Sequence, residues 1–308
     1  MSLRCALLAR SVPLLVLAVL AGCSPTSEAP DGGSDGGTAV EPEPEPAPEP
    51  DPEPEPEPEP DHPEPPADPG SFEDPTELAD ALATAEQALA DPDLPERHVA
   101  GWAAVHQQAY RDLVATPDWQ DEARDRVPDE LHRAFDATLR AGTQLWELTE
   151  PRDELPDWRI EPPPPVAELR AHYEAAEEEF GVPWEVLAGV HLVETRFGRI
   201  RGDSHAGAQG PMQFMPGTWE AYGGGDVQDP YDAIMAAGRY LAASGAPGDL
   251  RAALFAYNRS ERYVEAILAH AEAMEHYDHY LEVYHGWRVY YRTVEAGDVV
   301  LEEGYGGG

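Results

Sequence analysis

An all-α fold is predicted for the greater part of this chain, on three observations. From residue 71 onward, Ala, Leu, Glu and Gln recur at steps of three and four rather than in alternation. Prolines and glycines cut that pattern into pieces of helical length. A strand is suggested only near the end, at 299–301, before a Gly-rich terminus.

Composition narrows the function. The 308 residues are 42% hydrophobic, enough for one sizeable domain or two small ones. There are 60 acidic residues against 20 basic ones, a formal net charge of -40, and no lysine. Phosphate binding needs a basic face, so nucleic acid is excluded as a partner. The acidity elsewhere fits solubility or a saline habitat and points to no ligand.

Residues 1–22 read as an export signal: Arg4 and Arg10 bracket a short leader, and the apolar core at 12–20 is too short for a comfortable membrane span. The leader ends in Leu20-Ala21-Gly22-Cys23, which resembles the lipobox of bacterial lipoproteins. That resemblance implies acylation of Cys23 and a membrane-anchored protein of the cell envelope. Cys5 would leave with the signal, so the mature chain would hold one cysteine and no internal disulfide. Ser24 leaves open which membrane carries the anchor: an outer membrane, or the outer face of the cytoplasmic one.

Residues 23–70 are Gly/Ser-rich and then Glu-Pro-rich, with nothing apolar to bury. This stretch is expected to be a disordered, solvated spacer, whose Pro-rich part would span roughly 80 Å as polyproline II. Residues 71–160 are expected to form a helical N-terminal region of three or four helices, broken at Pro92, Pro95, Pro117, Pro128, Pro151 and Pro156. Apolar stripes run through 98–114 and 130–148, and their Trp and His residues are read as packing rather than chemistry.

The proline cluster 162–165 opens the next region, 161–292, with a helix over 166–180 that stops at Gly181. A second helix runs from Trp184 to near Gly198. Val186, Leu187, Val190, Val193 and Phe197 share one broad sector of it, and Glu194 falls inside that sector. A carboxyl among apolar neighbours is expected to carry a raised pKa, which suits a proton donor near neutral pH. Glu194 is therefore the candidate general acid. A loop with five glycines between 198 and 217 follows, a second at 223–229, and then helices over 231–244, 249–257 and 261–274. Tyr277, Tyr280, Tyr284, Trp287 and Tyr291 form an aromatic stripe that reads as core before it reads as a sugar platform. His276 and His279 share a face but lack a third ligand. Residues 293–308 are left as a C-terminal tail.

Four ordered motifs now combine: Glu194-Thr195-Arg196-Phe197-Gly198; the run 204–219 containing Gly210-Pro211-Met212-Gln213-Phe214-Met215-Pro216; Asp229-Pro230-Tyr231; and Ala256-Tyr257-Asn258. Together, over about 165–269, they resemble the lytic murein transglycosylases, most nearly the membrane-bound type B. The resemblance implies a lysozyme-like catalytic domain acting on peptidoglycan glycan strands. It would cleave the bond between N-acetylmuramic acid and N-acetylglucosamine without water, leaving a 1,6-anhydromuramoyl end. Glu194 would be the single acid/base. Ser204, Gln213, Tyr240, Tyr257 and Asn258 would hydrogen-bond the sugars, with Met212 and Phe214 as apolar walls.

Type B members can carry a calcium loop, but 223–229 offers two separated aspartates, too few oxygens for calcium, so no metal and no cofactor is expected. A monomer is expected. Two other readings stay open: a muramidase that hydrolyses the same bond, and a wall-binding lipoprotein that does no chemistry. A hydrolase commonly needs two carboxylates. The nearest in sequence, Asp203, lies in a Gly-rich turn where capping is its commoner use.

Overall fold

The computed structural model describes residues 62–306. The chain divides into two units, 1–58 and 59–308, and the described residues all fall in the second. The expected leader, Cys23 and the Glu-Pro repeat lie outside the described residues.

Four helices come first: α1 (Pro75–Leu89), α2 (Glu96–Ala115), α3 (Gln120–Arg126) and α4 (His132–Leu148). The prolines separate them, and Asp74 caps α1 by accepting from the Thr76 and Glu77 amides. Residues 63–65 lie against α2: Trp102 Nε1 donates to the Pro63 carbonyl at 3.2 Å. A Cβ on Gly101 would stand 2.4 Å from Pro65 Cγ, so only glycine admits that approach.

The second half contains α5 (Val166–Phe180), α6 (Trp184–Thr195), α7 (Pro216–Tyr222), α8 (Pro230–Ala243), α9 (Leu250–Tyr257), α10 (Glu261–His276) and α11 (Tyr280–His285). Asp229, Asp249 and Ser260 cap α8, α9 and α10 with side-chain oxygens, each cap worth about 1 kcal/mol. The core is laid around α6. It was expected to bury one sector, yet residues on every face of it are buried, including Leu187, Ala188, Val190, His191 and Leu192. The Tyr173 hydroxyl stands 2.7 Å from His191 Nδ1, while Nε2 has no hydrogen-bond partner among the described residues.

Two small antiparallel ladders complete the fold. Strand β1 (Arg159–Ile160) pairs with β2 (Ile200–Arg201), placing Ile160 opposite Ile200. Strand β3 (Val289–Thr293) pairs with β4 (Gly297–Leu301), from Val289 opposite Leu301 to Thr293 opposite Gly297.

Packing crosses both of the expected domain limits. The boundary near 160 does not separate two cores: Ala103, Ala134 and Ala137 share one cluster with Leu187, Val190 and Ile267. Helix α4 runs antiparallel to α10, with Arg133 on Glu272, Arg140 on Glu265 and Glu272, and Arg262 on Glu147. Small residues Ala141, Ala266 and Ala269 let the two helices close up. The segment from 293 onward is not a loose tail either. It forms most of a hairpin and then returns to β1, where the Ile160 amide donates to the Tyr305 carbonyl and the Gly304 amide to that of Ile160.

A buried polar knot joins the first helices to α11. Glu86 is fully buried and accepts from the Tyr110 hydroxyl at 2.8 Å and the Tyr280 hydroxyl at 2.7 Å, with His106 Nε2 3.4 Å away. Burial alone would raise its pKa. The charge interaction with His106 and the two tyrosine hydroxyls outweigh burial and hold the carboxyl below its usual range. Its stabilising contribution is therefore present above the ordinary glutamate range and is lost as pH falls through the depressed value. Replacing Glu86 with Leu strands two buried hydroxyls and an imidazole. It should cost about 3–5 kcal/mol in equilibrium urea unfolding at pH 7, with a smaller loss for Glu86→Gln.

Candidate active site

Glu194 owes its position to a close helix crossing. A Cβ on Gly189 of α6 would lie 3.2 Å from the Ile267 carbonyl oxygen of α10, so a larger residue would push the antiparallel helices apart. About one turn along each helix from that point, the Tyr263 hydroxyl donates to Glu194 Oε1 at 2.7 Å. The described residues supply no hydrogen bond to Oε2. Burial raises the Glu194 pKa and the Tyr263 bond partly offsets it, leaving the carboxyl at about 7. Among the described residues no second carboxylate contributes to that shift. Such a group is poised to give and to take a proton near neutral pH. Tyr263 escaped sequence reasoning because an aromatic on an apolar helix face reads as core.

The helix ends earlier than expected. Arg196, Phe197 and Gly198 all adopt positive φ, at 53°, 59° and 83°. Two of them are not glycine and carry a conformational cost. Compensation is visible on both sides of the turn: Phe197 is fully buried, and Thr195 Oγ1 accepts from the Gly198 amide at 3.0 Å. The same hydroxyl donates to the Pro211 carbonyl at 2.6 Å, tying the end of α6 to the glycine-rich loop.

That loop is a compact turn structure. The Ser204 amide donates to the Ala208 carbonyl, and Gln209 and Phe214 exchange backbone hydrogen bonds at 2.9 and 2.8 Å. Gly210 has φ 72°, and a Cβ there would come within 1.9 Å of the Val227 carbonyl, so the second loop presses directly on the first. The aspartates of the second loop serve the backbone: Asp226 accepts from the Gln228 amide and Asp229 from that of Asp232.

The expected sugar-binding residues fall into two groups. Tyr257 and Tyr240 are brought toward Glu194. Burial, and then the field of Glu194, raises the Tyr257 phenol well above its ordinary value, and the Tyr240 ring lies 5.6 Å from that of Tyr257. Their hydroxyls, however, are taken up by the protein: Tyr257 donates to the Met212 carbonyl at 2.6 Å and Tyr240 to the Ala256 carbonyl at 2.8 Å. Each phenolic proton is thus committed to the protein, while the oxygen keeps its capacity to accept.

The remaining residues are placed as follows by the loop and the end of α9. Met212 is 0% exposed and Phe214 2%, so they support the loop from beneath instead of forming an open wall. Ser204 Oγ accepts from the Ala208 amide at 2.9 Å and Gln213 Nε2 donates to the Gly210 carbonyl at 2.9 Å, so both brace the loop. Gln213 itself sits at φ 50°. Asn258 is exposed at the C-terminal end of α9.

Residues 172–279 match the Transglycosylase SLT domain family. Over 185 residues the chain is 25% identical to membrane-bound lytic murein transglycosylase F of Thiobacillus denitrificans, covering 56% of this chain and 37% of that protein. The chain thus spans well under two thirds of that relative's length. The relative is of type F, where the motifs suggested type B; both readings fall within the SLT-type lytic transglycosylases. No solved structure matches with significance.

Because one hydroxyl holds both the helix end and the loop, Thr195→Val should cost about 2 kcal/mol and loosen the Pro211–Met212 segment, while Thr195→Ser should stay within about 1 kcal/mol of wild type. Thermal melts, with amide hydrogen exchange at Gly198 and through 209–214, check both.

Proposed function

We propose that this chain, with an SLT-type lysozyme-like domain at 172–279, is a peptidoglycan lytic transglycosylase in which Glu194 acts alone as acid and base. The observation that carries the reading is the carboxyl of raised pKa, held by one tyrosine and, among the described residues, by no second carboxylate. Protonated Glu194 would donate to the glycosidic oxygen between N-acetylmuramic acid and N-acetylglucosamine as that C–O bond breaks. The resulting carboxylate would accept the proton of the muramoyl C6 hydroxyl as its oxygen bonds to the anomeric carbon. The products are a free N-acetylglucosamine hydroxyl and a 1,6-anhydromuramoyl end; no water enters, and Glu194 regains its proton.

An intramolecular nucleophile removes the need for a residue that positions water, and its proximity is an entropic advantage. The bond from Tyr263 to Oε1 leaves Oε2 to face the glycosidic oxygen. Hydrolysis of the same bond would call for a partner carboxylate. Asp203, the sequence candidate, is exposed and accepts from Gln209 Nε2 at 3.4 Å. A role in cell-wall remodelling follows from the proposed reaction, and attachment to a membrane through an acylated Cys23 goes with it. The relative described above is named membrane-bound, and among the described residues no helix is long and apolar enough to cross a membrane.

Mass spectrometry of digested peptidoglycan separates the two chemistries by one water. Anhydromuramoyl ends should predominate, and reducing muramic ends in their place would mean a hydrolase. Glu194→Gln should lower turnover by about a thousandfold or more while glycan binding persists.

The pH profile tests the proton donor. The acid form is required and is lost above a pKa of about 7, so kcat/KM should fall about tenfold per pH unit on the alkaline side. Removing the Tyr263 bond removes the influence that lowers this pKa. Tyr263→Phe should therefore move the alkaline limb to higher pH; an unmoved limb would mean that Tyr263 does not act on the carboxyl.

A further inference from the structure

A partly open cavity of about 140 Å³ lies between α2, α4, α10 and the β3–β4 hairpin, and neither Glu194 nor Tyr263 lines it. Three guanidinium groups do: Arg111, Arg196 and Arg292, with Asp298 the one carboxylate among the lining residues. Asp298 pairs with Arg111, whose Cζ also sits 4.0 Å from the centre of the Tyr290 ring. Arg292 stacks at 3.6 Å on Trp146 and donates to the Trp146 and Thr149 carbonyls at 3.3 and 3.1 Å. Arg196, from the left-handed turn after α6, donates to the Leu192 carbonyl at 2.8 Å. Among the described residues neither Arg196 nor Arg292 has a carboxylate partner, although acidic residues outnumber basic ones 60 to 20 in this chain.

These cations are not simply solvated. Burial, and then the charge of Arg111, pushes the Arg196 pKa down to about 10, so it stays protonated at neutral pH. A charge held in such a place without a counter-ion is costly. His270, fully buried on α10, lines the same cavity, and neither of its ring nitrogens has a hydrogen-bond partner. Buried polar atoms are nearly always satisfied, so this imidazole is an unmet donor or acceptor at the cavity wall. The remaining lining is largely apolar and aromatic, from Val114, Leu145 and Trp287.

We infer that this cavity is a binding site for a small carboxylate with an apolar body. Arg196 and Arg292 would take the carboxylate, His270 would hydrogen-bond to the ligand, and Val114, Leu145 and Trp146 would cover its body. Guanidinium groups fixed by stacking and carbonyl bonds suit the planar carboxylate fork. Asp298 disfavours a more highly charged anion such as phosphate. The volume, about 140 Å³, is close to that of an engineered apolar cavity of ~150 Å³ that takes up benzene, which sets benzoate as an upper size. The site is independent of the activity proposed for Glu194. Such an acid could be a metabolite or the C-terminal end of a short wall-type peptide, and the two probes below separate these sources.

Isothermal titration of the full chain with benzoate and, separately, with N-acetyl-D-alanine, a peptide C-terminus of about the same size, should give saturable binding for at least one probe, with a Kd at or below ~1 mM. The tighter of the two identifies the source. Arg292→Met should weaken binding at least tenfold. Arg292→Lys, which keeps the charge but loses the planar stack, should weaken it in the same direction and serves if the first variant does not fold. Glu194→Gln should bind as wild type. The inference is overturned by no saturable heat from either acid up to ~10 mM, by affinity unchanged in the folded Arg292 variants, by loss of binding in Glu194→Gln, or by inorganic phosphate binding as tightly as the acids.

Discussion

The crossing of α6 and α10 at Gly189 is the constraint on which the rest of the site depends. A side chain at that position would meet the Ile267 backbone, and any separation of the helices would carry Tyr263 away from Glu194. Glu194 itself stays partly accessible at the end of a helix whose preceding residues are packed on every face. The crossing therefore sets the depth of burial and the single hydrogen bond together, and these two quantities fix the acidity of the group.

The protein buries a second glutamate, and the contrast is instructive. Glu86 and Glu194 both accept from tyrosine hydroxyls at 2.7 Å. Glu86 has a second tyrosine and His106 beside it, and its pKa falls; Glu194 has Tyr263 alone, and its pKa rises. The neighbours decide the outcome, the charge interaction with His106 first among them and the additional hydroxyl after it, since desolvation acts in the same direction on both. One carboxylate then serves as a fixed ionic anchor between helices distant in sequence. The other stays close to its own titration midpoint at neutral pH.

Much of this was legible in the sequence. Proline and glycine punctuation located the helices because those residues act locally, through missing amides and permitted φ values. Glu194 stood out because a carboxyl within an apolar sector breaks a pattern. Tyr263 did not, because its role depends on a partner 69 residues away and nothing in its own neighbourhood differs from ordinary core. The burial of Met212 and Phe214 was not legible in the glycine-rich loop, because a loop sequence carries no periodicity to say which side chains turn inward. The packing across residue 160 was hidden for a related reason. Prolines mark where helices stop and say nothing of which helices pack together. The charges at Arg133, Arg140 and Glu147, seven residues apart and facing Glu272, Glu265 and Arg262, were the available sign that α4 belongs beside α10.

The seating of residues 63–65 on α2 has a mechanical consequence. A pull on the chain ahead of residue 62 reaches the folded unit at Pro63 and Pro65, through the Trp102 indole and the close contact at Gly101. From α2 the load path runs to the hairpin segment, through Gln107, which bonds the Arg288 amide and carbonyl at 2.8 and 3.0 Å, and through the Trp287 indole on His106. A load entering there meets α2 and the segment ahead of β3 first, and neither of these carries Glu194 or Tyr263.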